Sequence, residues 1–103
     1  MTARENRILQ EKEHSFFGGN LTSRTVIFSD GTVRTHRNIQ PGEYEMGTEQ
    51  AELIKIRDGE VLILLPEKKG WQQLKAGDTL RIPAESSYTL RARTPAACCC
   101  SFH

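Results

Sequence analysis

The sequence predicts an all-β fold, a single antiparallel β-barrel of the jelly-roll-like kind, on three observations. From Ser15 onward, turn signals punctuate short apolar stretches at intervals of about ten residues, the spacing of sandwiches and barrels. Within those stretches apolar and polar side chains alternate, which gives each strand one wet and one buried face. Two segments, Gly42 to Gly59 and Gly77 to Pro83, frame strands between glycines and a proline, residues that end or redirect a strand.

A chain of 103 residues makes one domain and can bury about two-thirds of its unfolded surface. With 37% hydrophobic and 26% charged residues it can fill a core and keep its outside wet. The net charge of +1 gives no electrostatic pull toward nucleic acid or an anionic membrane, so neither is expected as a partner. No apolar run approaches the ~18 residues of a membrane helix. Residues 1–13 are charged and contain no apolar signal core, so the expected location is the cytoplasm.

Residues 1–13 read as a polar leader, helical or disordered and outside the core, followed by a domain over 14–103. Asp30-Gly31 separates residues 25–28 from 32–39, and Asp58-Gly59 separates 53–56 from 61–65. An Asp-Gly pair tolerates the positive φ of tight turns, so both predict hairpins. Pro41-Gly42, residues 66–70, Ala76-Gly77-Asp78 and Thr94-Pro95 supply the remaining turns.

Alternation then assigns faces. After Gly42, Tyr44, Met46 and Thr48 share one side, while Glu43 and Glu45 face water. Leu80 and Ile82 oppose Thr79 and Arg81; Tyr88, Leu90 and Ala92 oppose Thr89, Arg91 and Arg93. Residues 61–65 are apolar on both sides, which calls for a second sheet or a partner chain, and the expectation is a homodimer through that strand or its neighbours.

Several side chains could carry chemistry. Glu52 begins a strand, where a carboxylate either bonds backbone or serves a pocket by accepting hydroxyls or moving a proton. Tyr88 is either packing with a satisfied hydroxyl or a ligand contact. If Val33, Thr35, Arg37 and Ile39 share an inward face, the Arg37 guanidinium enters the pocket, and its planar fork suits phosphate or carboxylate. A bulge near Asn38, or a place at the barrel mouth, would instead leave Arg37 solvated. Arg24, beside Val26 and Phe28, is a weaker candidate, and Arg91 and Arg93 read as a solvated face.

Cys98, Cys99 and Cys100 are adjacent, so on a strand Cys98 and Cys100 share a face and Cys99 takes the other. Such neighbours make a poor staple and lack the spacing of zinc ligands. Small buried thiols are the plain expectation, with a reactive thiol as the alternative. His14, His36 and His103 are scattered and read as surface residues. Trp71 reads as a cover on the core, with subunit contact or base stacking as the alternative. No Gly-rich phosphate loop, nucleophile elbow or Ser-His-Asp spacing occurs.

The two glycine-framed segments, with Glu52 in the first, resemble the two motifs of the cupins. Metal-binding cupins carry histidines where this chain has Met46, Thr48 and Tyr88, so the resemblance implies a cupin-type barrel whose pocket works without metal. More closely, the run from Pro41 to Thr48, with Ala51-Glu52, Asp58-Gly59, Leu65-Pro66, Trp71, Ala76-Gly77, Ile82-Pro83-Ala84 and Ser86-Ser87, is similar to the pyrimidine/purine nucleoside phosphorylase family of small bacterial cupins. The resemblance runs from Phe16 to the end. It implies a pentosyltransferase that cleaves purine and pyrimidine nucleosides with inorganic phosphate, giving free base and ribose 1-phosphate, with no other cofactor. Members often read Val-Gly-Val-Met where this chain has His36-Arg37-Asn38-Ile39. They tend to end Tyr-Leu-Cys-x-Tyr, of which Cys100 alone agrees.

Phosphorolysis passes through a sugar cation like that of glycoside hydrolysis. It therefore requires a cationic or N–H-rich place for phosphate, polar groups for ribose, an apolar wall for the base, and a proton or hydrogen bond for the leaving nitrogen. On that mapping Glu52 and Tyr88 are the catalytic candidates, and Thr48 joins Glu52 on the ribose. Met46, Leu90 and Tyr88 form the wall, and Arg37 or a backbone nest near Gly47 holds phosphate. The alternative is a metal-free cupin that binds a small anionic or sugar-like metabolite without turnover. A metal-dependent oxygenase or isomerase is disfavoured by the missing histidines.

Overall fold

Strands with one dry face must be laid dry side to dry side. The computed structural model, which describes residues 7–67 and 69–102, does this with two antiparallel sheets. In chain order the strands are β1 (Ile8–Phe16), β2 (Leu21–Phe28), β3 (Val33–Ile39), β4 (Gly42–Thr48), β5 (Glu52–Asp58), β6 (Glu60–Leu64), β7 (Gln72–Lys75), β8 (Thr79–Ile82), β9 (Ser86–Ala92) and β10 (Ala96–Phe102). The larger sheet runs β1-β2-β3-β10-β5-β8 and the smaller β4-β9-β6-β7. The pairings keep the sheets separate, so the jelly-roll-like barrel is flattened into a sandwich. Among the described residues there is no α-helix, and none long and apolar enough to cross a membrane.

The predicted faces hold. Tyr44, Tyr88, Leu90, Ala92 and Ile82 are buried, while Glu43, Glu45, Thr79 and Arg81 are exposed. The core between the sheets is completed by Leu21, Ile39, Ile54, Ile56, Val61 and Ile63, with Cys98 and Cys100. Each fully buried aliphatic side chain is worth about 1.5–3 kcal/mol relative to an exposed one. The Gly-Glu-Tyr element has a steric reason. Tyr44 folds back to donate its hydroxyl to the Gln40 carbonyl at 2.6 Å, and a Cβ on Gly42 would lie 2.9 Å from that hydroxyl.

Three expectations change. Residues 8–13 of the leader are strand rather than helix or disorder, because β1 pairs with β2 from Ile8↔Phe28 to Phe16↔Leu21. Its charges are matched across the pair: Glu13 lies opposite Arg24, and Glu11 forms an ion pair with Arg24. All nine residues of β1 are exposed, so residues 8–13 lie outside the core.

Asp30-Gly31 closes the β2–β3 hairpin as expected, with the Asp30 carboxylate accepting the Thr32 N–H at 2.8 Å. Asp58-Gly59 does not close a hairpin. β5 pairs with β10 and β8 while β6 pairs with β7 and β9, so the chain changes sheets at this corner. Gly59 has φ +79°, and a Cβ there would stand 2.7 Å from the Pro95 carbonyl oxygen. Residues 61–65 are covered on one face, since Val61, Ile63 and Leu65 enter the core while Leu62 and Leu64 stay half-buried outside.

Candidate functional site

Arg37 decides the site. β3 runs in unbroken register through Ser23↔Arg37 on β2 and Cys98↔Arg37 on β10, so no bulge at Asn38 turns the side chain outward. Arg37 therefore joins Thr35 and Ile39 on the inward face, with its side chain only 13% exposed. Its Nη1 donates to Glu52 Oε1 at 2.7 Å and stands 3.1 Å from Cys100 Sγ and 3.4 Å from Tyr88 Oη. The Tyr88 hydroxyl donates to the same Glu52 oxygen at 3.3 Å. A carboxylate 3% exposed would be costly alone; here a guanidinium and a phenol offset its lost hydration.

Burial is the largest influence on Arg37 and lowers its proton affinity. The Glu52 carboxylate hydrogen-bonded to it works against burial, and the guanidinium sits above the ordinary arginine range and stays a cation. Burial pushes the Tyr88 hydroxyl well above the usual tyrosine value, with Arg37 pulling the other way, so Tyr88 remains a donor. Cys100 is raised by its hydrogen bond with Cys98, 4.0 Å away, and by burial, and it meets Arg37 as a neutral thiol.

Above this cluster opens a pocket of about 350 Å³, within the range of small-molecule sites. Arg37 and Glu52 line it together with Gly47 and Thr48 at the end of β4. Glu49 and Gln50 follow in the turn, and Phe102 ends β10 at the rim.

The other sequence candidates fall elsewhere. Thr48 lines the pocket, but its hydroxyl donates to the Pro83 carbonyl at 2.8 Å and accepts the Ser86 N–H at 3.0 Å. That ties one glycine-framed segment to the other and engages the Thr48 hydroxyl as both donor and acceptor. Leu90 is 1% exposed in the core, and Met46 is half-buried against that core opposite Tyr88. Neither lines the pocket, because alternation tells side but not depth.

Arg24 is exposed on its ion pair with Glu11. Arg91 is more than a solvated charge: it donates to Glu43 through Nε at 2.9 Å and Nη2 at 2.6 Å, and stacks 4.3 Å over Trp71. His14 is exposed, His36 lies 3.5 Å from Arg57, and His103 is outside the described residues. Sequence reasoning missed Cys100, Glu49, Gln50 and Phe102 as members of the site. Alternation from Cys98 through Cys100 to Phe102 was the signal for two of them.

A cupin frame raises the question of metal. Among the described residues no three His, Cys, Asp or Glu side chains gather as a metal site. Met46 and the engaged Thr48 hydroxyl are poor ligands, and Glu52 already faces a buried arginine cation. These residues do not fit a divalent cation.

A family model described as pyrimidine/purine nucleoside phosphorylase matches residues 11–102. Two proteins named pyrimidine/purine nucleoside phosphorylase are similar over 102 residues. That of Hydrogenovibrio crunogenus is 39% identical, covering 99% of this chain and 98% of its own. That of Wolinella succinogenes is 37% identical, covering 99% and 97%. Among solved structures, a protein of unknown function from Acinetobacter sp. ADP1 aligns with TM-score 0.87 at 23% identity, covering 99% and 98% of the two chains. An RmlC-like cupin from Shewanella frigidimarina aligns with TM-score 0.68 at 19% identity, covering 91% and 93%. At such identities these two establish the cupin fold. The near-complete match to family model and relatives goes further: the chain belongs to the pyrimidine/purine nucleoside phosphorylase family.

Proposed function

We propose that the protein cleaves purine and pyrimidine nucleosides with inorganic phosphate, releasing the free base and ribose 1-phosphate. The observation that carries this is the buried Arg37–Glu52 pair at the floor of an open pocket, in a chain of this family. The hydrogen bonds of Arg37 among the described residues use Nη1. The other donors of the planar fork suit the oxygens of phosphate. Glu52 accepts a ribose hydroxyl, an interaction that strengthens as positive charge develops on the sugar. Tyr88 keeps the carboxylate oriented. A phosphate oxygen then bonds to C1′ while the C1′–N bond breaks, and its electron pair leaves with the base, which takes up a proton.

The test is incubation with inosine and uridine, with and without phosphate, followed by product analysis. Base release that requires phosphate and yields ribose 1-phosphate supports phosphorolysis. Equal release without phosphate makes the reaction hydrolysis and overturns it. A second reading is a metal-free cupin that binds a small anionic or sugar-like metabolite without turnover; it is favoured because Arg37 lines the pocket at the position where the resemblance to the family implies a glycine. Phosphate binding in calorimetry, with neither nucleoside cleaved, would select that reading.

A further inference from the structure

Phe102 closes β10, and alternation places it on the inward face that Cys98 and Cys100 occupy deeper in the core. It pairs in register with Glu52 on β5. Side chains directly opposed across an antiparallel pair have Cβ atoms about 4.5–5.5 Å apart, so Phe102 and Glu52 start from neighbouring points of the same face, and both line the pocket. It is 36% exposed and is not part of the core cluster. Among the described residues it is the aromatic lining the pocket that holds Arg37 and Glu52. The other candidates for an apolar wall are spent elsewhere: Leu90 and Met46 pack in or against the core, and Tyr88 lies beneath the pocket on Glu52.

We infer that Phe102 is the stacking surface for the nucleobase, and hence a residue that sets substrate breadth. The inference rests on the phosphorylase reading of the pocket and adds to it the place of the base. Displacement at C1′ is in line, so the base leaves on the side of the sugar opposite the incoming phosphate. With phosphate at Arg37 on the floor and a ribose hydroxyl at Glu52, the base points to the rim, where Phe102 stands. Every base offers a π-face, so a stacking wall accepts purines and pyrimidines alike, whereas hydrogen bonds to base edges would discriminate. Binding energy placed on the base in this way acts equally on bound substrate and transition state, and shows in KM rather than kcat.

Phe102→Ala, Phe102→Leu and Phe102→Tyr test this against wild type, with inosine and uridine as substrates. Loss of the ring in Phe102→Ala should raise the nucleoside KM about 5- to 150-fold, the range of base–aromatic stacking, with the phosphate KM and the melting temperature unchanged. Phe102→Tyr should keep the wild-type KM, and Phe102→Leu should not rescue it. If wild type cleaves nucleosides and Phe102→Ala leaves the nucleoside KM unmoved, or shifts both KM values together, the stacking role is overturned while phosphorolysis stands. If wild type cleaves neither nucleoside, the phosphorylase reading fails by itself. Calorimetric titration of inosine into wild type and Phe102→Ala then decides: weaker binding by the variant supports stacking, and equal or absent binding overturns it.

Discussion

Arg37 and Glu52 form a 2.7 Å ion pair although their strands are not neighbours: β10 runs between β3 and β5. Two strand spacings are about 9.5 Å, which a long arginine reaching toward a glutamate can span beneath the interposed strand. Cys100 of β10 lies on that path, 3.1 Å from the guanidinium.

The pair should behave as a buried ion pair in stability measurements. Arg37→Ala leaves the Glu52 carboxylate uncompensated and should cost about 3–5 kcal/mol in urea unfolding. Replacing both residues by methionine should recover most of that loss, because no charge remains to be buried. A negligible cost for Arg37→Ala would mean that water reaches the carboxylate.

In catalysis the two partners should separate. Glu52→Gln is expected to lower kcat/KM by about 10²-fold or more, as a group acting in the transition state does. Arg37→Lys keeps the charge and loses the fork, so it should mainly raise the KM for phosphate. Wild-type kinetics in Arg37→Lys would move the phosphate elsewhere in the pocket.

Alkaline stability should report Tyr88. An unfolded tyrosine ionises near pH 10.0, whereas burial holds the Tyr88 proton to higher pH. Above pH 10 the unfolded chain therefore binds fewer protons than the folded one, and stability fully present below that pH falls as pH rises. Urea midpoints across the alkaline range should drop more steeply for wild type than for Tyr88→Phe. Parallel curves would show that Tyr88 ionises as readily in the folded protein as in the unfolded one.

Metal should be dispensable. Purified protein is expected to carry no stoichiometric transition metal, and a chelator should leave nucleoside cleavage unchanged, since a cation already faces Glu52. One equivalent of zinc, iron or manganese, lost together with activity, would contradict this.

The outer face of β6, with Leu62 and Leu64 half-buried, is expected to meet a second copy of the chain. Sedimentation should report about twice 11.7 kDa, and Leu62→Lys should shift the protein toward the monomer. A monomeric wild type at micromolar concentration would refute the dimer.

Face assignment was written in the sequence because alternation is a property of the strand itself. Tyr44 inside and Glu43 outside, Cys98 with Cys100 and against Cys99, and Arg37 beside Ile39 all follow from a period of two, whatever the strand packs against. The steric demands of Gly42 and Gly59 were equally legible as turns. Partners and depth belong to the tertiary structure. An Asp-Gly pair sets local φ but not which strand comes next, so Asp58-Gly59 became a corner between sheets. Residues 8–13 of the charged leader became part of β1 because β2 was there to pair with them. Leu90 sank into the core, and the Thr48 hydroxyl was taken by Pro83 and Ser86. Phe102, two residues past Cys100 on the same face, came to the rim opposite Glu52. Each of these depends on contacts between residues far apart in the chain, which local periodicity does not encode.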